Sequence, residues 1–204
     1  MERNGLCVRD CTRCDALVAS RRQIVNGVGR ADAELLFVGE GPGANEDKEG
    51  EPFVGRSGSV LDEALADAGV SRETVRITNC VRCRPPDNRD PHSEELSNCR
   101  EFLEREINAV DPTVLVTLGK VPSEHRLGRS VAITSESGTV VERRLGGQSR
   151  RVMLSMHPAA TLYDRSQREG FVSTIASAIE LAGLDGAQRG SEAGGNDQSR
   201  LGEF

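Results

Sequence analysis

The feature that most constrains the fold is a short apolar run that opens into a glycine-rich, acidic loop. The run is ELLFV at 34–38, and it continues as GEGPG at 39–43, with further glycines at 50 and 55. A buried strand followed by such a loop and a helix is where open α/β folds bind ligands, because backbone amides and a helix N-terminus converge there. We therefore expect the active site in the loop at 39–55.

Length and composition predict one domain with a tail. The chain has 204 residues, of which 36% are hydrophobic, so it can bury one well-formed core. We expect a single domain at 1–184 and a disordered tail at 185–204, where Gly, Ser, Asp, Gln and Arg dominate. The sequence contains no apolar run near the roughly 20 residues that a membrane span requires. These features predict a cytoplasmic protein.

The charge of the chain gives an ambiguous signal about nucleic acid. The net charge of −6 argues against a nucleic-acid ligand, since neutralising phosphates requires clustered cations. However, Lys48 and Lys120 are the only lysines, and the remaining cations are arginines, which suit bidentate phosphate contacts. GC-rich coding or adaptation to salt also raises the content of Arg, Asp and Glu, so both interpretations stay open.

The periodicity of apolar residues predicts alternating strands and helices. Strands are expected at about 34–39, 75–78, 113–118 and 151–155. Helices are expected from 58 to 68, from 90 to 110 with Asp90 as cap, and around Phe171 to Ala182. A hairpin is expected from Val131–Ile133 and 138–142 at the sheet edge.

This order predicts a three-layer α/β/α fold with a central, mainly parallel four-stranded sheet. Because the carboxyl ends of parallel strands share one edge of a sheet, three loops should meet there: 39–55, 79–91 and 156–163.

Six cysteines without a secretory signal indicate metal or redox chemistry rather than disulfides. Spacing alone leaves three ligand sets open. A zinc site would use Cys11, Cys14, Cys80 and Cys83. A radical-type cluster would use Cys7, Cys11 and Cys14, although this triple precedes every predicted strand. A four-iron cluster would use Cys11, Cys14, Cys83 and Cys99.

Four separated motifs occur in order along the chain. They are GEGPGANED at 39–47, GEPFVG at 50–55, TNCVRCRPPDNR at 78–89 and HPA at 157–159. Together they resemble the family 4 uracil-DNA glycosylases, and the similarity extends from about residue 7 to 182. An ordered set of motifs is far more specific than a lone glycine loop. The resemblance implies a 4Fe-4S cluster on Cys11, Cys14, Cys83 and Cys99.

The resemblance also implies a substrate and a reaction. The substrate would be uracil-containing DNA, from which a monomeric enzyme flips uracil and hydrolyses its N-glycosidic bond. Phe53 would stack on the base, and Asn79 would pair with the uracil edge and reject cytosine. His157 would donate a hydrogen bond to uracil O2, where charge develops. The backbone at Gly41 would line the substrate site.

The remaining residues have less specific expected roles. Glu40 and Glu46 are both expected to position water or stabilise the cationic sugar, and Glu46 could instead exclude the methyl group of thymine. Leu162 is the expected wedge. A cationic patch for DNA phosphates is expected from Arg84 and Arg89, together with Arg82 and Arg100. The acidic residues Asp47, Glu49 and Glu51 are expected to be solvated.

The chain departs from the family pattern at 157–164, HPAATLYD, where Tyr163 and Asp164 replace a basic residue. This departure affects how the loop at 157–164 would bind DNA. Two alternative functions stay open. One is a binding module that recognises DNA without cleaving it, and the other is a glycosylase acting on hypoxanthine or xanthine as well. Asn79 argues against the broader range.

Overall fold

The computed structural model describes residues 6–185 of the chain. Residues 1–5 and 186–204 lie outside the described part, so the predicted tail falls outside it apart from Asp185.

The centre of the fold is a six-stranded sheet with the order β1-β3-β2-β4-β6-β5. The strands are β1 (Val28–Gly29), β2 (Leu35–Gly39), β3 (Arg76–Asn79), β4 (Val114–Leu118), β5 (Val140–Leu145) and β6 (Gln148–Ser155). Strands β3, β2, β4 and β6 are parallel, whereas the two edge strands run antiparallel to their neighbours. The sheet is therefore mainly parallel.

Helices connect and cover these strands. They are α1 (Asp15–Ser20), α2 (Ala44–Glu49), α3 (Arg56–Asp67), α4 (Ser93–Val110), α5 (Lys120–Leu127), α6 (Ile133–Glu136), α7 (Ala160–Tyr163) and α8 (Arg168–Leu181). Short 3-10 turns occur at Arg72–Thr74, Pro86–Asn88 and Arg165–Gln167. None of the helices within residues 6–185 has the length and apolar character needed to cross a membrane.

Two apolar clusters place these helices in separate layers. Side chains of α3 and α8, such as Leu61 and Ile175, pack with Phe37 on one face of the sheet. Leu103 and Ile107 of α4 pack with Val38 and its neighbours on the other face. The central strands read as nearly continuous apolar runs because both of their faces are covered. The predicted three-layer α/β/α class is confirmed.

The structure corrects the predicted details. The four expected strands form the parallel centre, but the short β1 and the hairpin partner β5 raise the strand number to six. The predicted hairpin arm at Val131–Ile133 is wrong, because α6 begins at Ile133 and β5 pairs directly with β6. Helix α4 begins at Ser93 rather than at Pro91, since the Glu95 carboxylate accepts a hydrogen bond from the His92 amide at 2.7 Å.

Candidate active site and cysteine cluster

A cavity of about 170 Å3 opens at the carboxyl edge of the parallel sheet, where β2, β3 and β6 end. Pockets for drug-sized ligands span roughly 300–1,000 Å3, so this cavity is of a size for a single flat ring. Its lining comes from three loops that are distant in sequence: Gly41, Gly43, Glu46, Phe53, Ser57, Asn79 and His157.

Two glycines make room for the apolar wall of this cavity. Gly39 is in register with Asn79 on the neighbouring strand, and a Cβ at Gly39 would lie 2.3 Å from Asn79 Oδ1 and 2.6 Å from Phe53 Cε2. A Cβ at Gly58 would lie 1.9 Å from the Phe53 carbonyl oxygen. Phe53 itself has a φ of 55°, an uncommon left-handed conformation for a bulky side chain. Its ring is thus held by close backbone packing.

The Asn79 side chain supplies the polar floor of the cavity. It is buried, and its Oδ1 atom has no hydrogen-bond partner within the described residues. A buried amide oxygen without a hydrogen-bond partner raises the free energy of the folded state, and such oxygens are characteristic of ligand-binding sites. The amide can accept one hydrogen bond and donate another in the same plane.

His157 faces the Phe53 ring, with ring centroids 5.8 Å apart and an interplanar angle of 29°. Its Nδ1 atom accepts a hydrogen bond of 3.1 Å from the Ala159 amide. Burial lowers the pKa of His157 to about 4, although the nearby Glu46 carboxylate opposes that shift. A neutral imidazole that accepts at Nδ1 carries its proton on Nε2, so it can only donate from that atom.

Glu46 is fixed by backbone amides at the cavity wall. Its two carboxylate oxygens accept hydrogen bonds from the Gly43 amide at 3.1 Å and from the Gly55 amide at 3.3 Å. The first bond closes the N-terminal turn of α2, while the second ties that helix to the residue before α3. The carboxylate therefore has a defined position beside His157.

Glu40 lies outside the residues that line the cavity, although it directly precedes Gly41. It directly follows β2, at the carboxyl edge of the sheet where the cavity opens. Burial, together with the charge of Asp90 and a hydrogen bond to it, raises the pKa of Glu40 to about 7. The Glu40 carboxyl is thus poised to exchange a proton near neutral pH.

Four of the six cysteines surround a second, small cavity beside α1 and α4. Its lining includes Cys11 and Cys14 from the N-terminal loop, Cys83 from the loop after β3, and Cys99 from α4. Cys80 instead lies in the apolar cluster under α4, and Cys7 is exposed. This grouping matches the third of the three ligand sets that the sequence left open.

Four thiols are soft donors of the kind that bind zinc or an iron-sulfur cluster. Arg21 Nη1 donates to Cys83 Sγ at 2.9 Å, and Asn98 Nδ2 donates to Cys14 Sγ at 3.5 Å. Burial raises the pKa of Cys99 to about 11, and coordination to a metal would favour the deprotonated form of such a thiol. Within residues 6–185, no three His, Cys, Asp or Glu side chains are spaced to hold a single metal ion.

Comparisons with known proteins identify the family of the chain. The family model for the uracil DNA glycosylase superfamily matches residues 26–178. The chain belongs to the uracil-DNA glycosylase superfamily.

Individual members of the superfamily are similar over most of their length. A Type-4 uracil-DNA glycosylase from Archaeoglobus fulgidus is 41% identical over 180 residues, covering 86% of this chain and 90% of the relative. The Type-4 enzyme from Thermotoga maritima is 43% identical over 160 residues, covering 78% and 81%. A Type-5 uracil-DNA glycosylase from Pyrobaculum aerophilum is 29% identical over 208 residues, covering 86% and 89%.

Within this superfamily fold, five of the predicted site residues come together in one cavity: Gly41, Glu46, Phe53, Asn79 and His157. Glu40 lies next to the cavity rather than in its wall. Leu162, the expected wedge, is partly buried and packs against the apolar core on the α3 and α8 face. Arg84 and Arg89 lie beside the cysteine cluster. The Arg84 side chain donates a hydrogen bond to Asn88, and the Arg89 side chain donates one to Glu95.

Two expectations about charged residues are wrong. Arg82 is buried rather than part of a surface patch, and it forms an ion pair with Glu106, which Arg76 also contacts at 2.6 Å. Asp47 is buried rather than solvated, because its Oδ1 atom accepts a hydrogen bond of 2.8 Å from the Arg22 amide. Arg82 thus connects the loop after β3 to α4, and Asp47 connects α2 to the N-terminal segment.

Two residues of the site were not predicted from the sequence. Ser57, in the first turn of α3, lines the cavity beside Phe53. Asp90 shapes the environment of Glu40 from a different loop. The position of Ser57 two residues after the motif glycine Gly55 is a signal that could have indicated it. No local pattern could have paired Asp90 with Glu40, because the contact depends on the fold.

Proposed function

We propose that this protein removes uracil from DNA by hydrolysing the bond between the base and its deoxyribose. The observation that carries this proposal is the single-ring cavity, which the neutral His157 imidazole lines together with the buried Asn79 amide, whose oxygen has no hydrogen-bond partner within the described residues. The names of the Type-4 relatives give the same activity.

Recognition of the base follows from the groups in the cavity. Uracil presents an N3–H donor beside the O4 acceptor, which complements the acceptor and donor of the Asn79 amide. Cytosine presents a bare N3 and an amino group, so it would leave Asn79 poorly paired. Phe53 provides a flat apolar surface for a base that has left the stack. The Glu46 carboxylate lines the same cavity, which supports a role in excluding the extra methyl group of thymine.

The chemical step requires stabilisation of negative charge on the departing base. As the bond between C1′ and N1 breaks, its electron pair moves into the uracil ring and raises the charge on O2. His157 Nε2–H would donate to that oxygen, and a neutral imidazole would do so without transferring its proton. The base leaves as a hydrogen-bonded anion, which takes up a proton afterwards.

Water completes the reaction at C1′ of the sugar. The water oxygen forms the new bond to C1′, and one water proton must be removed. We assign that task to Glu40, whose pKa of about 7 suits a base at neutral pH. The Glu46 carboxylate is close enough to His157 to affect the pKa of the imidazole, and we assign to it the stabilisation of positive charge on the sugar.

We further propose that Cys11, Cys14, Cys83 and Cys99 hold a 4Fe-4S cluster. When bound, such a cluster supplies a structural crosslink and takes no part in the glycosidic step. The four residues would join the N-terminal loop, the loop after β3 and helix α4. Arg84 and Arg89 lie on the loop that this crosslink would fix, which supports a role for them in contacting DNA phosphates.

The test uses end-labelled oligonucleotides that carry one uracil, one thymine mismatch or only normal bases. Alkali treatment converts an abasic site into a strand break. We expect strand breaks at uracil alone. The rate of uracil excision should fall about 100-fold in Asn79→Ala, because two hydrogen bonds to the base are missing. The exposed control Asn108→Ala should keep the wild-type rate. Retained DNA binding without any breakage would indicate a binding module instead.

A further inference from the structure

A short segment, 21–23, lies between the cysteine cluster and helix α2. On one side, Arg21 Nη1 donates to Cys83 Sγ at 2.9 Å, and Arg21 Nη2 donates to the Cys11 carbonyl at 2.7 Å. On the other side, the backbone amides of the next two residues donate to the Asp47 carboxylate of α2. Three consecutive residues therefore join the cysteine cluster to the helix beside the base cavity.

Asp47 is the contact point on α2. The residue is fully buried, and its Oδ1 atom accepts hydrogen bonds from the Arg22 amide at 2.8 Å and from the Gln23 amide at 3.4 Å. Its Oδ2 atom has no hydrogen-bond partner within residues 6–185. Burying a carboxylate with one unpaired oxygen destabilises the fold, so packing alone does not account for an acidic residue at this position.

The Gln23 side chain holds the carboxyl end of the same helix. Its Nε2 atom donates to the carbonyls of Asp47 at 3.1 Å and Lys48 at 3.0 Å, which belong to the last turn, where a helix leaves its carbonyls unpaired. A Cβ at Gly50, the residue after α2, would lie 2.8 Å from Gln23 Oε1. Helix α2 has only six residues, too few to be stable in isolation, so these contacts fix its position.

The position of α2 determines the position of Glu46. Successive residues of a helix point about 100° apart, so Asp47 faces segment 21–23 while the Glu46 side chain lines the base cavity. The Glu46 carboxylate accepts from the Gly43 amide at 3.1 Å and from the Gly55 amide at 3.3 Å. These lengths are at or beyond the upper end of the usual range, so a small displacement of α2 would break the bonds.

We propose that Asp47 is a positioning residue that holds Glu46 where this carboxylate excludes thymine, and that Gln23 supports it. This inference rests on the proposed glycosylase function. Rejection of a single methyl group by a binding pocket is worth only about 10- to 200-fold. A pocket wall displaced by about 1 Å would lose most of that discrimination. The contacts of segment 21–23 with α2 thus act on the choice between two bases.

Equilibrium binding of the free bases tests this role without requiring cleavage. We expect wild type to bind uracil more tightly than thymine. In Asp47→Ala the ratio of the thymine and uracil dissociation constants should fall about 10-fold or more, because thymine gains access while uracil keeps its contacts with Phe53 and Asn79. Asp47→Asn retains the acceptor oxygen and should keep the wild-type ratio. The exposed control Glu49→Ala, on the same helix, should also keep it.

A second variant keeps the test decisive if Asp47→Ala fails to fold. Gln23 is exposed, so Gln23→Ala should fold normally, and it should lower the same ratio by a smaller factor. The iron content of each variant should match that of wild type, which separates this effect from a loss of the cysteine cluster. An unchanged ratio in Gln23→Ala and in folded Asp47→Ala, an equal loss of affinity for both bases, or a lower ratio only in variants that lose iron would overturn the proposal.

Failure of the proposed function would look different. Wild type would then release no uracil from DNA, and a wild type that bound neither free base would overturn both claims. If wild type releases uracil while the variants keep the wild-type discrimination, the glycosylase function stands and only the role of Asp47 is wrong.

Discussion

Gly39 and Asn79 lie side by side in register on parallel strands, and a methyl group on Gly39 would come within 2.3 Å of Asn79 Oδ1. The same methyl group would lie 2.6 Å from the Phe53 ring. The absence of a side chain at Gly39 thus allows both Asn79 and Phe53 to occupy the cavity.

Substitution of Gly39 by Ala should therefore damage the site without touching any group that contacts substrate. We expect Gly39→Ala to lower kcat/KM for uracil release at least about 100-fold, as Asn79 and Phe53 must move. The control is Gly170→Ala in α8, where the added methyl group meets no atom within 4 Å. Full activity in Gly39→Ala would show that the Asn79 position is not critical.

The pH dependence of activity should report on Glu40. Because its pKa is raised to about 7 and its ionised form is the proposed base, kcat/KM should rise with pH through about 7. Asp90→Asn removes the like charge and the shared hydrogen bond, so the rise of kcat/KM should occur at lower pH. The exposed control Asp87→Asn, on the same loop, should leave the pH of this rise unchanged. An identical profile in all three proteins would exclude Glu40 as the base.

Substitution of single cysteines should distinguish the three ligand sets. We expect anaerobically purified wild type to contain iron and acid-labile sulfide in equal amounts. Cys83→Ser and Cys99→Ser should lose both, whereas Cys7→Ser and Cys80→Ala should retain them, since these two residues lie outside the shared cavity. Loss of iron in Cys80→Ala, or zinc in place of iron, would contradict the proposed cluster.

Stability should depend on the buried carboxylate of Glu106. Burial alone would raise its pKa, but the charges of Arg82 and Arg76 prevail and lower it below its ordinary value. We expect Glu106→Gln to reduce the free energy of unfolding by about 3–5 kcal/mol, since it leaves two buried guanidiniums without a counter-charge. Chemical denaturation of both proteins at neutral pH measures this difference.

The sign of the pH effect follows from the lowered pKa. The contribution of Glu106 is present above its unfolded pKa of about 4.3 and is lost as the pH falls through the lower folded value. The difference in free energy of unfolding between wild type and Glu106→Gln should therefore become smaller at acidic pH. Glu101→Gln, in the exposed pair with Arg13, is the control on the same helix and should cost no more than about 1 kcal/mol.

Much of the fold could be predicted because its signals are local. The apolar runs that form β2 and β4 are buried on both faces, so their composition alone indicates central strands. The predicted hairpin arm at 131–133 is wrong because an apolar segment of this kind is compatible with either a strand or a helix. The Glu136 carboxylate accepts a hydrogen bond from the Ala132 amide at 2.8 Å, and this contact stabilises the first turn of α6. Such capping contacts compete with strand propensity.

The candidate site could be predicted only as far as its motifs extended. Ordered motifs identified the residues of the cavity, but whether Arg82 faces DNA or Glu106 depends on helix α4, which lies far along the chain. The partial burial of Leu162, the expected wedge, likewise depends on packing against the apolar core on the α3 and α8 face. Long-range packing of this kind leaves no local trace in the sequence.

The most direct test of the account is the rate of free uracil release from one uracil-containing oligonucleotide, measured for wild type, His157→Ala and His92→Ala. Removing the donor to O2 should slow release by about 100- to 1,000-fold, while His92→Ala, at an exposed helix start, should match wild type. If His157→Ala released uracil as fast as wild type, or wild type released none, the proposed mechanism would be wrong.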